Sequence, residues 1–324
     1  VATALAGAGF GAVSGSSTAS AAALSATSIP AMTRAGYSSQ FSCGVVGVSG
    51  TLAMLIPPSL ALILYGIITE ESVGQLLIAG IIPGFIVLAA IIVTIQILLW
   101  RHPEMAPTSQ SYSWREKFVS LRGIWPMLVL IVLVTGSIYI GVATPTEAAG
   151  MGAFGAFVLT VAMGKMSRRT FVEAITRASR TSCMIFLIII GAKIFGIVLT
   201  LTQVTQNFVN FATSLETSPY VVLALILLVY IAVGCVMDQV ATLILTVPIT
   251  VPVIVALGFD PIWFGVIVVV TAEIGMITPP VGLNAFIVAR VANRPLVDVF
   301  IGLWPHVLAH LFVILLLCIF PQLV

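Results

Sequence analysis

The chain alternates long apolar runs with short polar interruptions. Runs at 75–100, 124–141, 146–164, 183–201, 262–289 and 299–320 approach or exceed the length that carries a helix across a bilayer, about 20 residues. The short alternating strands of a membrane β-barrel are not seen. Two further regions read as pairs of half-length apolar stretches folded back on a polar tip: 1–33, joined near "VSGSST" (13–18), and 219–257, joined near "CVMDQV" (235–240). Proline pairs interrupt two apolar runs in similar words, "MLIPPSLALIL" (54–64) and "MITPPVGLNAF" (276–286). Proline lacks the backbone N–H and clashes with the carbonyl one turn earlier, so each pair predicts a helix broken within the membrane.

Composition agrees with this pattern. With 60% apolar residues, 7% charged residues and a mean hydropathy of +1.20, an ordinary soluble domain is excluded, and an all-α polytopic membrane protein is predicted. Cys43, Cys183, Cys235 and Cys318 stand in apolar context without paired spacing, which predicts buried small residues rather than a disulfide or metal framework. The first residue is Val1, inside an apolar segment with no signal peptide ahead of it. The expectation is a fragment that lacks earlier helices.

Charge supplies orientation. Twelve of the 13 Lys and Arg residues fall at Arg34, in 101–122, in 165–180, and at Arg290 with Arg294; Lys193 is the exception. Positive charge marks the cytoplasmic side. The spans between these places then put Glu70, Glu71, 142–145, Glu216 and Asp260 outside. Residues 1–33 become a re-entrant hairpin entered from the cytoplasm, and 219–257 one entered from the opposite face. "SRRTFVEAITRASR" (167–180) reads as an amphipathic helix on the cytoplasmic leaflet, and nucleic-acid binding is a poor alternative beside so much membrane.

The two broken regions repeat one another. Aligning Pro57 with Pro279 sets an offset of 222 positions that also superposes Pro30 on Pro252, Gly36 on Gly258, Tyr37 on Phe259, Met54 on Met276 and Pro58 on Pro280, without a gap. Each unit is a hairpin followed by a proline-broken helix, and charge orients the two units oppositely. Inverted repeats with interrupted helices mark secondary transporters with sites near the midplane. Irregular backbone is tolerated in a membrane where it lines a cavity; its free carbonyls suit a cation and its free N–H groups an anion.

Candidate chemistry collects at the tips and breaks. Ser14, Ser16 and Ser17 suit a hard monovalent cation, whereas Ser20, Ala21, Ala22, Ala23 and Ser25 read as close packing. Asp238 matches Ser16 under the offset and suits any of three roles: facing a cation, orienting the tip, or capping the following half-helix. Gly50, Thr51 and Ser59 flank the first break; Gly275, Thr278, Gly282 and Asn284 surround the second. Glu273 fits a proton site or a structural hydrogen-bond partner. Thr144, Pro145 and Glu147 fit a capping box with proline at the first helical position. His306 and His310 lie one turn apart without enough further ligands for a metal. A membrane-embedded enzyme is disfavoured, since neither a paired-aspartate nor a zinc motif appears.

The "SGSS" hairpin, "GVATPTEAAG", the "IPPS" and "TPPVG" breaks and "MDQVATLILTVPITVPV" together resemble the large membrane subunit of the tripartite ATP-independent periplasmic (TRAP) transporters, across essentially the whole chain. The resemblance implies a sodium-coupled importer of organic acids in the bacterial inner membrane. Its partners would be a periplasmic substrate-binding protein and a small four-helix membrane subunit. It also implies an elevator, in which 1–68 and 219–293 move against a scaffold drawn mostly from 69–218, with 294–324 as a C-terminal helix. One sodium site would involve Ser16, Ser17 and backbone from Gly50 and Thr51 to Pro57. The other would involve Asp238 and backbone from Gly275 through Thr278 and Pro279 to Val281. Ser14, Ser59, Gly282 and Asn284 are the expected substrate contacts. A proton-coupled anion transporter of related fold, working through Glu273 or Asp238 without a binding protein, is the alternative.

Overall fold

The computed structural model describes residues 1–107, 125–215 and 217–324, so most of the basic stretch 101–122, and Glu216, lie outside the described residues. All regular structure within them is helical. Unit one contains α1 (Ala2–Ser14), α2 (Ser17–Arg34), α3 (Ser39–Thr51) with one following 3₁₀ turn, and α4 (Leu60–Thr69). Next come α5 (Val73–Ala79), α6 (Ile81–Arg101), α7 (Trp125–Tyr139), α8 (Pro145–Ala162), α9 (Arg168–Leu201) and α10 (Val204–Ser214). Unit two contains α11 (Pro219–Gly234), α12 (Gln239–Ala256), α13 (Pro261–Met276) and α14 (Leu283–Ala292), and α15 (Leu296–Ile319) follows.

The expected breaks are present. Helix stops at Thr51 and resumes at Leu60, and stops at Met276 and resumes at Leu283; Pro57–Pro58 and Pro279–Pro280 are both cis. The offset holds in fine detail. Ser16 and Asp238 each cap a hairpin's second helix by accepting from the amide three residues on, Ala19 N at 3.3 Å and Ala241 N at 2.8 Å. Ser38 and Asp260 do the same for α3 and α13. Gly36 and Gly258 both turn the chain at left-handed φ, 89° and 85°, where a side chain is strained.

Contacts to α15 show how the units lie. Its start meets the start of α3 through Asp298 and Gln40, and its middle meets the end of α3 through His310 and Thr51, so these helices are parallel. Trp263 near the start of α13 donates to Leu317 O near the end of α15, whereas Gly282 lies against Phe300, so these two are antiparallel. The first half-helices α3 and α13 therefore run in opposite directions, as an inverted repeat requires. The offset also extends further than the tips and breaks: Gly80 matches Gly302 and Pro83 matches Pro305, pairing the α5–α6 segment with α15. In space, α15 packs on α3 and α5 on α13, each against the first half-helix of the other unit.

Small residues allow the closest approaches. A Cβ on Gly44 would stand 2.2 Å from Gly302 O, and one on Gly11 2.6 Å from Ala53 Cα. With lipid as solvent, close backbone packing of this kind replaces the hydrophobic effect between helices. Hydroxyls inside the helices mostly bond their own backbone: Ser25 to Ala21 O, Ser49 to Val45 O, and Thr242, Thr246 and Thr250 in succession down α12.

Several expectations need correction. The hairpin helices exceed half-length: α2 and α12 each have 18 residues, and α12 is long and apolar enough to cross a membrane despite Pro248 and Pro252. The amphipathic stretch 167–180 is not a separate element, because α9 runs unbroken for 34 residues from a Ser167 cap. Nothing in 168–201 breaks a helix, and the polar-to-apolar change at Cys183 does not interrupt backbone bonding. Cys183 is exposed, unlike buried Cys43 and Cys235. The capping box is as expected: the Thr144 amide donates to Glu147 Oε2 at 2.8 Å and the Glu147 amide to Thr144 Oγ1.

Gly302→Val should overpack the α3–α15 contact, lowering thermal stability in detergent by about 1–3 kcal/mol or more. Gly150→Val, where no atom lies within 4 Å of the added Cβ, should leave the melting temperature within about a degree or two of the parent.

Candidate functional site

Each hairpin tip rests on the break of its own unit. Gly15, at φ 59°, turns the chain between α1 and α2, and its Cα side faces Pro58 O. At the other tip Cys235 O accepts from Gly282 N at 2.9 Å. The second helix of each hairpin also reaches across the repeat, α2 packing on α14 and α12 on α4. The tips and breaks thus form one connected interior region, with Ser17 donating to Met276 Sδ at 3.7 Å as a direct link between units.

The first tip is rich in hydroxyls that bond one another. Ser14 Oγ pairs with Ser20 Oγ at 2.8 Å, and Ser16 Oγ with Thr18 Oγ1 at 3.1 Å. Ser17 is buried at the first turn of α2, and a Cβ on Gly50 would come within 3.1 Å of Ser17 O. Ser16, Ser17, Gly50 and the start of the break are therefore neighbours. Thr51 is buried and donates to Val48 O at 2.7 Å, while Pro57 is buried in the cis pair. Ser59 caps α4, accepting from Leu62 N at 3.2 Å and donating to Met54 O.

The second tip is built differently. Asp238 is exposed and its carboxylate caps α12, so the capping role is the one the geometry displays. Gln239, the offset partner of Ser17, is buried and donates to Val269 O at 3.1 Å. Gly275 lies against Gly234, and Thr278 folds back on Ile274 O at 2.5 Å. Pro279 and Val281 are exposed and flank the opening of the break. Gly282, at φ 54°, precedes α14 without any side-chain cap, leaving that helix's first N–H groups open. Asn284 is fully buried, and neither amide atom has a partner among the described residues.

Sequence reasoning passed over several participants. Ser20 was expected to be packing, yet it completes the first hydroxyl cluster. Gln239 carried a signal, its alignment with Ser17. His310 donates from Nδ1 to His306 O at 2.9 Å and places Nε2 3.5 Å from Thr51 Oγ1; the pair belongs to packing around the first break, and only the fold shows it. Glu70, at the end of α4, bonds Lys193 of α9 at 2.7 Å, and that hydrogen bond holds its carboxyl below the usual range. This explains why Lys193 departs from the basic clusters.

Comparison with known proteins places this geometry. Residues 1–323 match the family model described as "Tripartite ATP-independent periplasmic transporter, DctM component". The chain is similar to the C4-dicarboxylate TRAP transporter large permease protein DctM of Pseudomonas aeruginosa, 38% identical over 289 residues, covering 89% of this chain and 67% of that one. It is similar to the sialic acid TRAP transporter large permease protein SiaM of Vibrio cholerae, 32% identical over 314 residues, covering 97% and 73%. It is also similar to the isethionate TRAP transporter permease protein DctMQ of Oleidesulfovibrio alaskensis, 32% identical over 294 residues, covering 88% and 45%. A multi-pass membrane chain whose hairpin tips close on two inverted helix breaks, matched along its length by that family, belongs to the DctM component of the TRAP transporters and is a permease, not an enzyme.

Proposed function

We propose that the chain imports an organic acid across the bacterial inner membrane, driven by sodium. A periplasmic binding protein would deliver the acid, and a small membrane subunit, of the kind the DctMQ name shows joined in one relative, would be its companion. The observation that carries this reading is the pairing of two hairpin tips with two proline breaks in opposite orientation. At the first break, the Ser16 and Ser17 region abuts Gly50 and the backbone up to Pro57. Its oxygens are hard ligands that suit sodium. At the second, Asp238 caps the tip while the backbone from Gly275 through Thr278 and Pro279 to Val281 supplies carbonyls. Ser14, Ser59, Gly282 and Asn284 lie toward the substrate. The uncapped N-terminus of α14 favours a carboxylate, and the unpartnered Asn284 amide has donors to offer it.

An elevator suits the sparse contact of α9 with α4. The two hairpins and four half-helices interlock across the repeat, α5 and α10 pack on α13 and α12, and α9 meets α4 through the exposed Lys193–Glu70 pair and few other residues. Exposed ion pairs re-form readily. The residue ranges 1–68 and 219–293 would move together, most of 69–218 would stay fixed, and 294–324 would follow α3.

Proteoliposomes holding the complete transporter, supplied with its binding protein and a panel of labelled carboxylates, should take up the cognate acid only with sodium outside. Unchanged uptake with choline in place of sodium would overturn the reading. Ser17→Ala should raise the sodium concentration for half-maximal uptake about tenfold, the effect of losing roughly 1.4 kcal/mol of binding. Replacing Pro279 and Pro280 together by Ala should restore amide donors, lengthen helix across the second break and cut sodium-driven uptake by about tenfold or more. A double variant with full uptake would remove the breaks from the mechanism.

A further inference from the structure

Helix α14 ends at Ala292 and α15 begins at Leu296, on the face that positive charge marks as cytoplasmic. The turn between them is closed by Asn293 at φ 51°, with the Arg294 amide donating to Ala289 O at 3.0 Å. That bond and the left-handed residue make a Schellman turn, which folds Arg294 back beside the last turn of α14. A cleft of about 530 Å³ results, lined by Phe286, Ala289, Arg290, Asn293, Arg294 and Leu296. Both arginines are exposed, and neither forms an ion pair among the described residues. Asp298, on the first turn of α15, accepts instead from Gln40 Nε2 at 3.2 Å.

The preference for positive charge on this face accounts for basic residues here, but not for two arginines in one cleft with an apolar wall. Nor does the repeat demand them: the offset matches Arg290 with Ile68, Arg294 with Ser72 and Asn293 with Glu71. Phe286, 47% exposed, lies one turn nearer the break than Arg290. The 10 residues of α14 span about 15 Å, half the thickness of the hydrocarbon core. A break at the midplane then puts Asn293 and Arg294 at headgroup depth, within reach of the long Arg290 side chain. Phe286 lies deeper, among acyl chains. The cleft is cationic at its mouth and apolar below, which matches the polarity of an anionic phospholipid.

We propose that this cleft binds the phosphate of an anionic phospholipid from the inner leaflet, with the glycerol and first acyl carbons along Phe286 and Leu296. Guanidinium suits phosphate because its planar fork meets two oxygens at once. Basic pockets between helices on the cytoplasmic side hold lipid headgroups in the same way. The lipid would sit at the joint where the second broken helix passes into α15, the helix packed on α3. None of the lining residues is among those assigned to sodium or substrate, so the site stands independently of the transport reading.

The test is native mass spectrometry of the complete transporter released from nanodiscs of equal parts phosphatidylglycerol and phosphatidylcholine. The wild type should retain phosphatidylglycerol in preference to phosphatidylcholine. Arg290→Gln with Arg294→Gln should weaken phosphatidylglycerol retention by about tenfold or more, whereas Arg177→Gln with Arg180→Gln on α9 should leave it unchanged. Equal retention by the wild type and the Arg290/Arg294 variant would overturn the proposal. An equal loss in the α9 variant would reduce the effect to overall surface charge and overturn the site as well. In parallel, a thermal-shift assay in detergent compares added phosphatidylglycerol, phosphatidylcholine and inorganic phosphate. Phosphatidylglycerol alone should raise the melting temperature of the wild type. The same rise with inorganic phosphate would assign the cleft to a soluble anion and overturn the lipid. Should the Arg290/Arg294 variant not fold, phosphatidylglycerol carrying a photoactivatable group near its glycerol is crosslinked to the wild type. Label should map to 286–296; label confined to other segments refutes the site.

Discussion

Hydrocarbon gives an unpaired peptide group nowhere to go, and that penalty governs the whole chain. Helices meet it by bonding internally, and even their serines and threonines fold back on the carbonyl one turn earlier. Two places cannot. Pro57–Pro58 and Pro279–Pro280 lack amide N–H groups, so polar backbone is left over within the apolar body. Each hairpin answers part of that demand: Cys235 O takes the Gly282 amide, and Gly15 brings the first tip onto Pro58. What remains open after the tips have closed is the surface available to a solute.

The two units solve this shared problem with different side chains. Caps correspond one for one, Ser16 with Asp238 and Ser38 with Asp260, because every second helix and every first half-helix must satisfy its leading amides. Away from the caps, correspondence fails. Ser17 becomes Gln239, Thr51 becomes Glu273, and Leu62 becomes Asn284. Unit one is lined by hydroxyls already in mutual contact, and unit two by longer groups with unused bonding capacity at Gln239, Glu273 and Asn284. Backbone symmetry is thus combined with chemical asymmetry at the two tips and breaks.

Much of this was legible in the sequence because proline, glycine and cap residues act locally. The offset of Pro57 to Pro279 located both breaks, and Gly36 and Gly258 proved to share their left-handed turn. Asp238 was left with three roles, and only the 2.8 Å bond from Ala241 N displays the cap. The remaining features were hidden for physical reasons. Continuity of α9 depends on the absence of a breaker, which is a weak signal against a change in polarity. The Ser14–Ser20 pair and the His310–Thr51 contact join residues whose proximity no local rule encodes. Gly80 with Gly302, and Pro83 with Pro305, were readable under the same offset but lie beyond the tips and breaks that drew attention.

That extension changes how the repeat holds together. Within the units themselves, the two halves meet through α2 on α14, α12 on α4, α3 on α14 and α4 on α13. The segment after each broken helix adds to this by crossing over: α15 lies along α3, and α5 lies on α13. Gly44 and Gly302 sit so close that neither tolerates a side chain, so α15 cannot slide on α3 without separating two backbones in direct contact. Through Trp263 and Leu317 the same helix is bonded to α13. One element is thus locked to both first half-helices, which run in opposite directions. A displacement of either break must carry α15 with it, and through α15 the other break. The two breaks are thus tied mechanically through the packing of a single helix.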